Sequence, residues 1–340
     1  MYKIALITGC SGQDGSYLSE FLISKGYIVH GLIRRTSSSG ISRLKKVINH
    51  NNFYLHYGDL TDANSLFSII NLVMPDEIYN LAAQSHVGIS FQNPIMTFDI
   101  NALGVIRILD IIKELKNKKN IKIYQASTSE LFGNSKKIPQ NELTSFNPRS
   151  PYGISKLSSY FTITNYRESY GLHASNGILF NHESPRKGIQ FVTRKITKAV
   201  AEIKAGKKKS IKLGNLEAKR DWGHAKDYVL AMWKIVQQEN PDDYVIATGE
   251  THSVKEFVEL SFSVIGKNIY WEGSKDTTKG VDSSGNILVE VDPTFYRPSE
   301  VNILKGDFSK AKKVLKWKPK ISFKTLVTDM VKNDIRRLKP

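Results

Sequence analysis

The chain has 340 residues, of which 40% are hydrophobic and 24% are charged. This composition is typical of a globular protein and excludes disordered and fibrous proteins. The single cysteine, Cys10, cannot form an internal disulfide, which favours a reducing compartment. No apolar run approaches the roughly 20 residues of a membrane-spanning helix, and the first residues lack the pattern of a signal peptide. We therefore expect a cytoplasmic protein with no membrane partner.

The charge balance is strongly basic, with 49 Lys and Arg against 32 Asp and Glu and a net charge of +17. Such a charge is compatible with a nucleic-acid binder, an anionic small substrate or a lysine-rich surface. The basic runs at 113–122, 204–212 and 310–320 are not interleaved with aromatic residues, as a base-stacking surface would be. We expect no nucleic-acid partner.

The first half of the chain alternates short apolar runs with amphipathic segments. The apolar runs predict strands at 3–8, 27–33, 53–57, 77–82, 121–126 and 174–180. A first helix contains Tyr17 and Leu22 and ends at Gly26. Further helices are predicted around 63–73, 94–115 and 151–170. Repeated βαβ units imply an α/β fold with a Rossmann-like, doubly wound parallel sheet.

This alternation is lost after about residue 180. Loop-rich segments are predicted at 181–190, 214–223 and 273–298, between helices near 191–205, 225–238, 254–265 and 323–335. We expect a Rossmann domain over residues 1–180, to which 224–250 returns. Most of 181–340 is predicted to form a smaller, mixed α/β substrate domain at the carboxyl edge of the sheet, where such folds bind ligands.

Three glycines follow the first strand and open the first helix. Gly9, Gly12 and Gly15 give a G-x-x-G-x-x-G spacing, with Gln13 and Asp14 inside it. Glycines permit a tight turn and a close approach of backbone to a pyrophosphate, and the helix amino terminus offers free N–H groups to it. The position in the fold favours a dinucleotide site over an ordinary strand-to-helix turn.

The end of the second strand indicates which dinucleotide is bound. An NAD site usually carries an acid here, whereas this strand is followed by Arg34, Arg35, Thr36 and Ser37. Guanidinium and hydroxyl groups favour a ribose 2′-phosphate, so the sequence predicts NADP. The alternative is a set of exposed basic residues with no ligand.

Two further strand ends supply candidate cofactor contacts. Asp59 and Leu60 follow the third strand, where a carboxylate can reach an adenine amino group or cap the next helix. The fourth strand runs into small residues that let a cofactor lie against backbone: Leu81, Ala82, Ala83, Gln84 and Ser85. His86 is interpreted as a polar residue of that loop.

The candidate chemistry lies in two clusters. Thr128 and Glu130 belong to the Ser-Thr-Ser-Glu run at 127–130, at the end of the fifth strand. Tyr152 and Lys156 are four residues apart at the start of a helix, so they share one helix face. An ammonium beside a phenol lowers the pKa of the tyrosine and makes it a general base for a substrate hydroxyl. A Tyr-x-x-x-Lys pair alone is common on surfaces, and an isolated Glu130 would be read as a surface residue.

Longer motifs surround these residues, at 12–18, 125–133, 165–171, 176–186 and 220–228. Together with the Tyr-x-x-x-Lys pair, they resemble the extended short-chain dehydrogenase/reductase family. Within it they are similar, almost residue for residue, to the GDP-mannose 4,6-dehydratase family. The resemblance extends over nearly the whole chain, and these motifs are far more specific than the glycines.

The resemblance implies an NADP-dependent lyase that converts GDP-D-mannose to GDP-4-dehydro-6-deoxy-D-mannose, the first step toward GDP-fucose or GDP-rhamnose. Tyr152, aided by Lys156 and by a hydrogen bond from Thr128 to the sugar, oxidises C4 while NADP takes the hydride. Glu130 removes the proton from C5, water leaves C6, and the same hydride returns to C6.

The same resemblance implies the ligand contacts. Substrate contacts are expected at Ser85, Thr128, Ser129, Glu130, Asn181, Lys195, Arg220, Arg297 and Glu300, and further cofactor contacts at Met96, Tyr152, Lys156, His182 and Lys187. The family commonly has Arg where this chain has Lys187, and often Tyr where it has Met96. No metal is implied. A homodimer or homotetramer is implied, with the 34–37 loop and the residues after it reaching a neighbouring subunit.

Three alternatives remain open from the sequence. The first is a dehydratase or 4-epimerase for another nucleotide sugar that uses the same tyrosine and lysine, although Glu130 argues against an epimerase. The second is a catalytically silent NADP-binding protein, against which the complete set of Thr128, Glu130, Tyr152 and Lys156 argues. The third is a nucleic-acid binder, whose retention on DNA would depend on salt.

Overall fold

The computed structural model describes residues 2–37, 40–296 and 298–338. Its strands, in chain order, are β1 (Ile4–Thr8), β2 (Ile28–Ile33), β3 (Phe53–Tyr57), β4 (Glu77–Asn80), β5 (Lys122–Thr128), β6 (Ala174–Leu179), β7 (His182–Glu183), β8 (Ile211–Leu213), β9 (Lys219–Arg220), β10 (Gly223–His224), β11 (Tyr244–Ile246), β12 (His252–Ser253), β13 (Tyr270–Glu272), β14 (Lys279–Val281), β15 (Ile287–Val291) and β16 (Ile303–Leu304). Its α-helices are α1 (Gln13–Ser24), α2 (Ala63–Val73), α3 (Val87–Gln92), α4 (Pro94–Phe98), α5 (Gly104–Leu115), α6 (Pro151–Tyr170), α7 (Val192–Lys204), α8 (Ala225–Val236), α9 (Val254–Ser263), α10 (Ser309–Val314) and α11 (Phe323–Leu338).

A seven-stranded sheet in the order β11-β6-β5-β4-β1-β2-β3 forms the centre of the protein. Every neighbouring pair in it is parallel. The predicted doubly wound α/β fold is therefore confirmed. The strand order reverses between β1 and β4, and sheets of this kind open a ligand crevice at that point, beyond the carboxyl ends of the strands.

Helices cover both faces of this sheet. On one face, α1 and α8 contribute buried residues that include Leu18, Tyr228 and Met232. On the other face, α2, α5 and α6 contribute residues that include Ile70, Ile108 and Ile163. Helix α8 packs beside α1, and β11 belongs to the seven-stranded sheet. Part of the chain after residue 180 therefore packs with the first half. The exact domain division stays a prediction.

The segment predicted as loop-rich at 273–298 also contains two short strands that were not predicted, β14 and β15. They belong to a four-stranded sheet in the order β13-β14-β15-β8. Shorter strands also interrupt the other two predicted loop segments: β7 pairs with β10, and β9 lies between β12 and β16. A separate core of α7, α9, α11 and the four-stranded sheet includes Ile196, Phe257 and Val331.

The predicted helices at 63–73 and 151–170 are confirmed to the residue. The single helix predicted at 94–115 is interrupted by a π-helical turn at Asp99–Leu103, between α4 and α5. Such turns are frequent at functional sites. Within the described residues, no helix is both long and apolar enough to span a bilayer.

Candidate active site

The glycine-rich loop connects β1 to α1 and lies against the end of β4. Gly9 has a φ of +67°, and a Cβ atom there would lie 2.9 Å from the Cα atom of Ala82. A Cβ atom on Gly15 would lie 2.6 Å from the Cα atom of Cys10, so helix and loop approach closely only because this side chain is absent. The N-cap residue of α1 is Gly12, which has no side chain to accept an N–H of the first turn. These N–H groups are therefore available to an anionic ligand. This loop fits the pyrophosphate of a dinucleotide.

The segment after β4 is held by polar side chains from neighbouring elements. The Thr8 hydroxyl accepts the N–H groups of Leu81 at 3.0 Å and Ala82 at 3.1 Å. Asn101, in the π-helical turn, accepts the Gln84 N–H at 2.9 Å and donates to the Gln84 carbonyl at 3.0 Å. Asn101 also donates to the Ser155 hydroxyl on α6 at 3.1 Å. Asn101 thereby joins a predicted cofactor segment to the predicted catalytic helix.

The predicted 2′-phosphate residues follow β2 and are exposed: Arg34, Arg35, Thr36 and Ser37. The Arg35 guanidinium lies 5.2 Å from the centre of the Tyr57 ring. Asp59 is not the helix cap that the sequence offered as an alternative. Its Oδ1 atom accepts the N–H and hydroxyl of Thr61, whereas Asp62 caps α2. Leu60 is buried beside it.

Tyr152, Thr128 and Glu130 are brought together at the carboxyl end of β5. The Tyr152 phenol is hydrogen-bonded to Thr128 and feels the charge of Glu130. Glu130 is only 8% exposed. A Cβ atom on Gly153 would lie 3.0 Å from the Glu130 carbonyl oxygen, so this glycine permits α6 to pack closely against the strand end. A phenol and a carboxylate are therefore buried near one another at this strand end.

The predicted lowering of the Tyr152 pKa is wrong for the structure as described. Burial raises the pKa of Tyr152 to about 12, a shift that the Thr128 hydrogen bond reduces and Glu130 increases. Burial also lowers the pKa of Lys156 to about 8. The Lys156 Nζ atom donates to the Ala126 carbonyl at 2.8 Å. Desolvation is the largest cause of both shifts, and Lys156 is not among the groups that shift the Tyr152 pKa.

His182 connects the glycine-rich loop to the residues after β6. Its Nε2 atom lies 2.7 Å from Asp14 Oδ2, and its Nδ1 atom lies 2.8 Å from the Phe180 carbonyl oxygen. The imidazole is stacked on the Tyr228 ring at a centroid distance of 4.6 Å. Burial raises the pKa of Asp14, but the charges of His182 and Lys187 hold it below its ordinary value.

We call residues 182–187 the strap, because side chains from elsewhere hold it across the loop. Gln13 donates to the His182 carbonyl at 3.1 Å and accepts the Ser184 hydroxyl at 2.8 Å. The Lys187 Nζ atom also donates to the His182 carbonyl, at 3.0 Å, and lies 3.2 Å from Glu183 Oε1. The predicted cofactor contacts Gln13, Asp14, His182 and Lys187 thus form one connected cluster.

The predicted substrate residues lie on several different elements. Asn181 has a buried Oδ1 atom with no hydrogen-bond partner among the described residues, which suits a ligand donor. The Lys195 Nζ atom lies 3.4 Å from the centre of the Phe295 ring, and burial lowers the pKa of Lys195. Arg220 is buried in β9, and the Glu300 carbonyl accepts Asn134 Nδ2 at 3.4 Å.

The remaining predicted contacts differ in their surroundings. Ser85 and Met96 are exposed, and Ser129 is buried. Arg297 lies outside the described residues. No group of three or more His, Cys, Asp or Glu side chains within the described ranges is arranged to hold a metal ion.

Sequence reasoning missed three residues that support the site. Asn101 gives no local signal, because its role depends on the π-helical turn. Arg194 donates to two strap carbonyls, and only the folded chain brings it there. Asp334 was detectable, since it interrupts the apolar stripe of α11 at a buried position.

The chain is similar in sequence to one family over almost its full length. The profile of the family described as GDP-mannose 4,6 dehydratase matches residues 6–330. The GDP-mannose 4,6 dehydratase of Cricetulus griseus is 54% identical, over 99% of this chain and 92% of that protein. The GDP-mannose 4,6-dehydratase of Sinorhizobium fredii is 50% identical, over 99% of this chain and 98% of that protein. Among solved structures, the dTDP-glucose 4,6-dehydratase of Bacillus anthracis in complex with NAD has a TM-score of 0.80 at 23% identity and shares the fold, over 97% of this chain and 96% of that one.

Proposed function

Because the chain belongs to the GDP-mannose 4,6-dehydratase family, we propose that it converts GDP-D-mannose to GDP-4-dehydro-6-deoxy-D-mannose. It is an enzyme, a hydro-lyase that acts on a nucleotide sugar. The observation that carries the specific reaction is the buried carboxylate of Glu130 beside Tyr152 and Thr128. A simple sugar oxidation needs only the phenol, whereas a dehydration also needs a base for the proton on C5.

Each side chain of this cluster has a proposed role. Tyr152 takes the proton of the C4 hydroxyl as C4 becomes a ketone, and Thr128 hydrogen-bonds the oxygen at C4. The ketone acidifies the C5 proton, and Glu130 removes it and gives it to the C6 hydroxyl, which leaves as water. When hydride is added at C6, C5 takes up the proton that Tyr152 holds. A nicotinamide cofactor held by the glycine-rich loop would supply the acceptor for the C4 hydride and the donor of that hydride to C6, and its positive charge would favour the phenolate. The reaction is redox-neutral, so no external reductant is consumed.

The phenol requires a change of environment before it acts as a base. With its pKa raised to about 12 by burial, Tyr152 is protonated at neutral pH. Lys156 is buried on the same helix face, one turn away from Tyr152. Its ammonium donates one hydrogen bond to the Ala126 carbonyl, and its positive charge favours the phenolate form of Tyr152. Tyr152 is therefore the proton acceptor, and Lys156 assists it through its positive charge.

We assign NADP as the cofactor. The exposed Arg34 and Arg35 after β2 support this choice, because guanidinium groups pair with a 2′-phosphate, whereas NAD sites carry an acid there. The double variant Arg34→Ala/Arg35→Ala is expected to weaken NADPH binding about tenfold or more and to leave NADH binding unchanged. Fluorescence titration of both dinucleotides measures this. Equal losses for the two would contradict the assignment.

The substrate is held by groups that suit a diphosphate and a hexose. Arg220 and Lys195 offer positive charge, and Asn181 offers a buried amide. The family resemblance adds Arg297 and Glu300.

We also propose a homodimer or homotetramer. Apolar side chains on neighbouring helices support this, with Ile95 86% and Phe161 55% exposed; light scattering measures the assembly.

The reaction is tested by incubating the protein with NADP and GDP-mannose without a reductant. Mass spectrometry and NMR should identify a 4-keto-6-deoxy sugar, with the hydrogen of C4 recovered at C6. UDP-glucose and dTDP-glucose are tested in parallel. A 4-keto product from one of these sugars, and none from GDP-mannose, would overturn the proposal and favour a dehydratase for another nucleotide sugar.

A further inference from the structure

The backbone of the strap is positioned by cationic side chains that come from other parts of the chain. The Arg43 Nε atom donates to the Arg186 carbonyl at 2.7 Å. The Arg194 Nη1 atom donates to the carbonyl oxygens of Pro185 at 2.9 Å and Lys187 at 3.0 Å. Two carbonyl oxygens on either side of Arg186 therefore depend on one nitrogen of one guanidinium.

The orientation of that guanidinium is set by Asp334 on α11. Arg194 Nε lies 2.8 Å from Asp334 Oδ2, and Arg194 Nη2 donates to Asp334 Oδ1. The Thr197 hydroxyl donates to Asp334 Oδ2 at 2.7 Å. The Arg194 and Asp334 side chains are only 5% and 3% exposed. A buried, bidentate pair of this kind fixes the guanidinium plane, because the arrangement of its N–H groups is rigid.

Because the guanidinium of Arg194 is rigid, fixing its Nε and Nη2 atoms also fixes the position of its Nη1 atom. While the carboxylate holds the Nε and Nη2 edge, Nη1 points at the two strap carbonyls. Without the carboxylate, a buried cation lacks its counter-charge and turns toward other acceptors. The strap carbonyls then lose their donor, and the strap carries both His182 and Lys187.

We propose that Asp334 is a positioning residue of the cofactor site, acting through Arg194 to hold the strap and thereby His182 and Lys187 against the glycine-rich loop. This inference rests on the proposed use of NADP, since it concerns the same site. Helix α11 contributes none of the predicted ligand contacts. The inference gives this helix an effect on cofactor affinity.

The chain offers a matched control for this pair. Arg167 and Asp243 form a second bidentate ion pair, with N–O distances of 3.0 and 2.9 Å, between α6 and the start of β11. Within the described residues, neither Arg167 nor Asp243 hydrogen-bonds to the strap. Asp334→Asn and Asp243→Asn each remove one carboxylate charge from a mostly buried pair.

NADPH affinity of the purified proteins separates positioning from general stability. Asp334→Asn is expected to raise the Kd for NADPH about tenfold, the factor that corresponds to loss of one charged hydrogen bond. Asp243→Asn should lose thermal stability with an unchanged Kd. Hydrogen exchange of the cofactor-free proteins should rise in residues 182–187 only in Asp334→Asn. If Asp334→Asn does not fold, Thr197→Val removes one hydrogen bond to the same carboxylate and should raise the Kd in the same direction by a smaller factor.

Wild-type binding is measured first. If the wild-type protein does not bind NADPH, the proposed function fails at the cofactor. If it binds, and Asp334→Asn or Thr197→Val has the Kd and the strap exchange of the wild type, the positioning role is wrong while the proposed function stands. A loss of affinity equal to that of Asp243→Asn also overturns the positioning role.

Discussion

Asp14 and His182, separated by 168 residues, are joined by a 2.7 Å hydrogen bond across the glycine-rich loop. The other ring nitrogen of His182 faces the Phe180 carbonyl oxygen, which can only accept. Both ring nitrogens of His182 therefore lie within hydrogen-bond distance of an acceptor oxygen, one of them on the Asp14 carboxylate. A charged hydrogen bond of this kind is strong, so it ties the first turn of α1 to the strap.

Asp14→Asn should weaken this tie and lower the affinity for NADPH. The amide removes the carboxylate charge from the hydrogen bond to His182, and we expect a Kd about fivefold to tenfold higher, which corresponds to roughly 1–1.4 kcal/mol. Titration of the purified variant with NADPH measures the change. Asp110→Asn, which removes the partner of Lys113 on α5, is the control and should bind like the wild type. An Asp14→Asn variant with wild-type affinity would show that the tie does not support the cofactor site.

Lys156 should give the reaction an alkaline limit. Burial lowers its pKa to about 8, so the ammonium that favours the Tyr152 phenolate is lost above that pH. The wild-type value of kcat/KM is expected to fall above about pH 8, since this ratio reports groups of the free enzyme. Lys156→Arg keeps a positive charge at every accessible pH. Its activity is expected to be lower, but its alkaline limb should move to higher pH. A limb at the same pH in both proteins would assign it to another group.

Glu130→Gln should separate oxidation from dehydration. The amide cannot take the C5 proton, whereas Tyr152 still takes the proton of the C4 hydroxyl. We expect no 4-keto-6-deoxy product, unchanged NADP affinity, and reduced nicotinamide that accumulates when GDP-mannose is added. Absorbance of the reduced nicotinamide and product mass measure this. Glu142→Gln, at another partly buried acid, which accepts the Val245 N–H at 2.7 Å, is the control and should turn over normally. Normal turnover in Glu130→Gln would refute the role of Glu130.

Much of the first half of the fold was predictable because its signals are local. The 151–170 helix begins at Pro151 after the Ser150 N-cap, whose hydroxyl accepts the Gly153 N–H at 3.0 Å. Strand β1 of the parallel sheet is almost entirely buried, so it reads as a continuous apolar run. The four-stranded sheet was not predictable in this way. Strands β8 and β14 have three residues each, and β8 pairs with β15, which lies far along the chain.

The same difference between local signals and long-range contacts applies to the candidate site. The glycines and the Tyr-x-x-x-Lys spacing lie within single motifs and were predicted as motifs. The contacts that organise them connect distant segments: Asp14 to His182, Asn101 to Gln84, and Arg194 to Asp334. The Tyr152 pKa was predicted in the wrong direction because the sequence shows a neighbouring charge but not the degree of burial. Long-range contacts and desolvation are properties of the folded chain alone.

The imidazoles of His30 and His56 on neighbouring strands β2 and β3 should make stability depend on pH. The His30 Nδ1 atom lies 2.8 Å from His56 Nε2, and the rings are stacked at 5.1 Å. Burial, and then the charge of His56, lower the pKa of His30 to about 4. An unfolded histidine titrates near 6.5. Between these values the unfolded chain binds a proton that the folded chain does not, so the free energy of unfolding falls as the pH is lowered from about 6.5 toward 4.

We expect His30 to account for a loss on the order of 1 kcal/mol in the free energy of unfolding. This is less than its full pKa shift implies, because the histidine pair borders solvent. Urea denaturation of the wild type and of His30→Gln at several pH values from 7.5 to 4.5 measures it. Above pH 7, His30 is neutral in both states, so the two proteins should show parallel stabilities there, which is the internal control. Below pH 6.5 the wild type should lose stability more steeply than the variant. Parallel curves over the whole range would mean that the histidine pair does not titrate with unfolding.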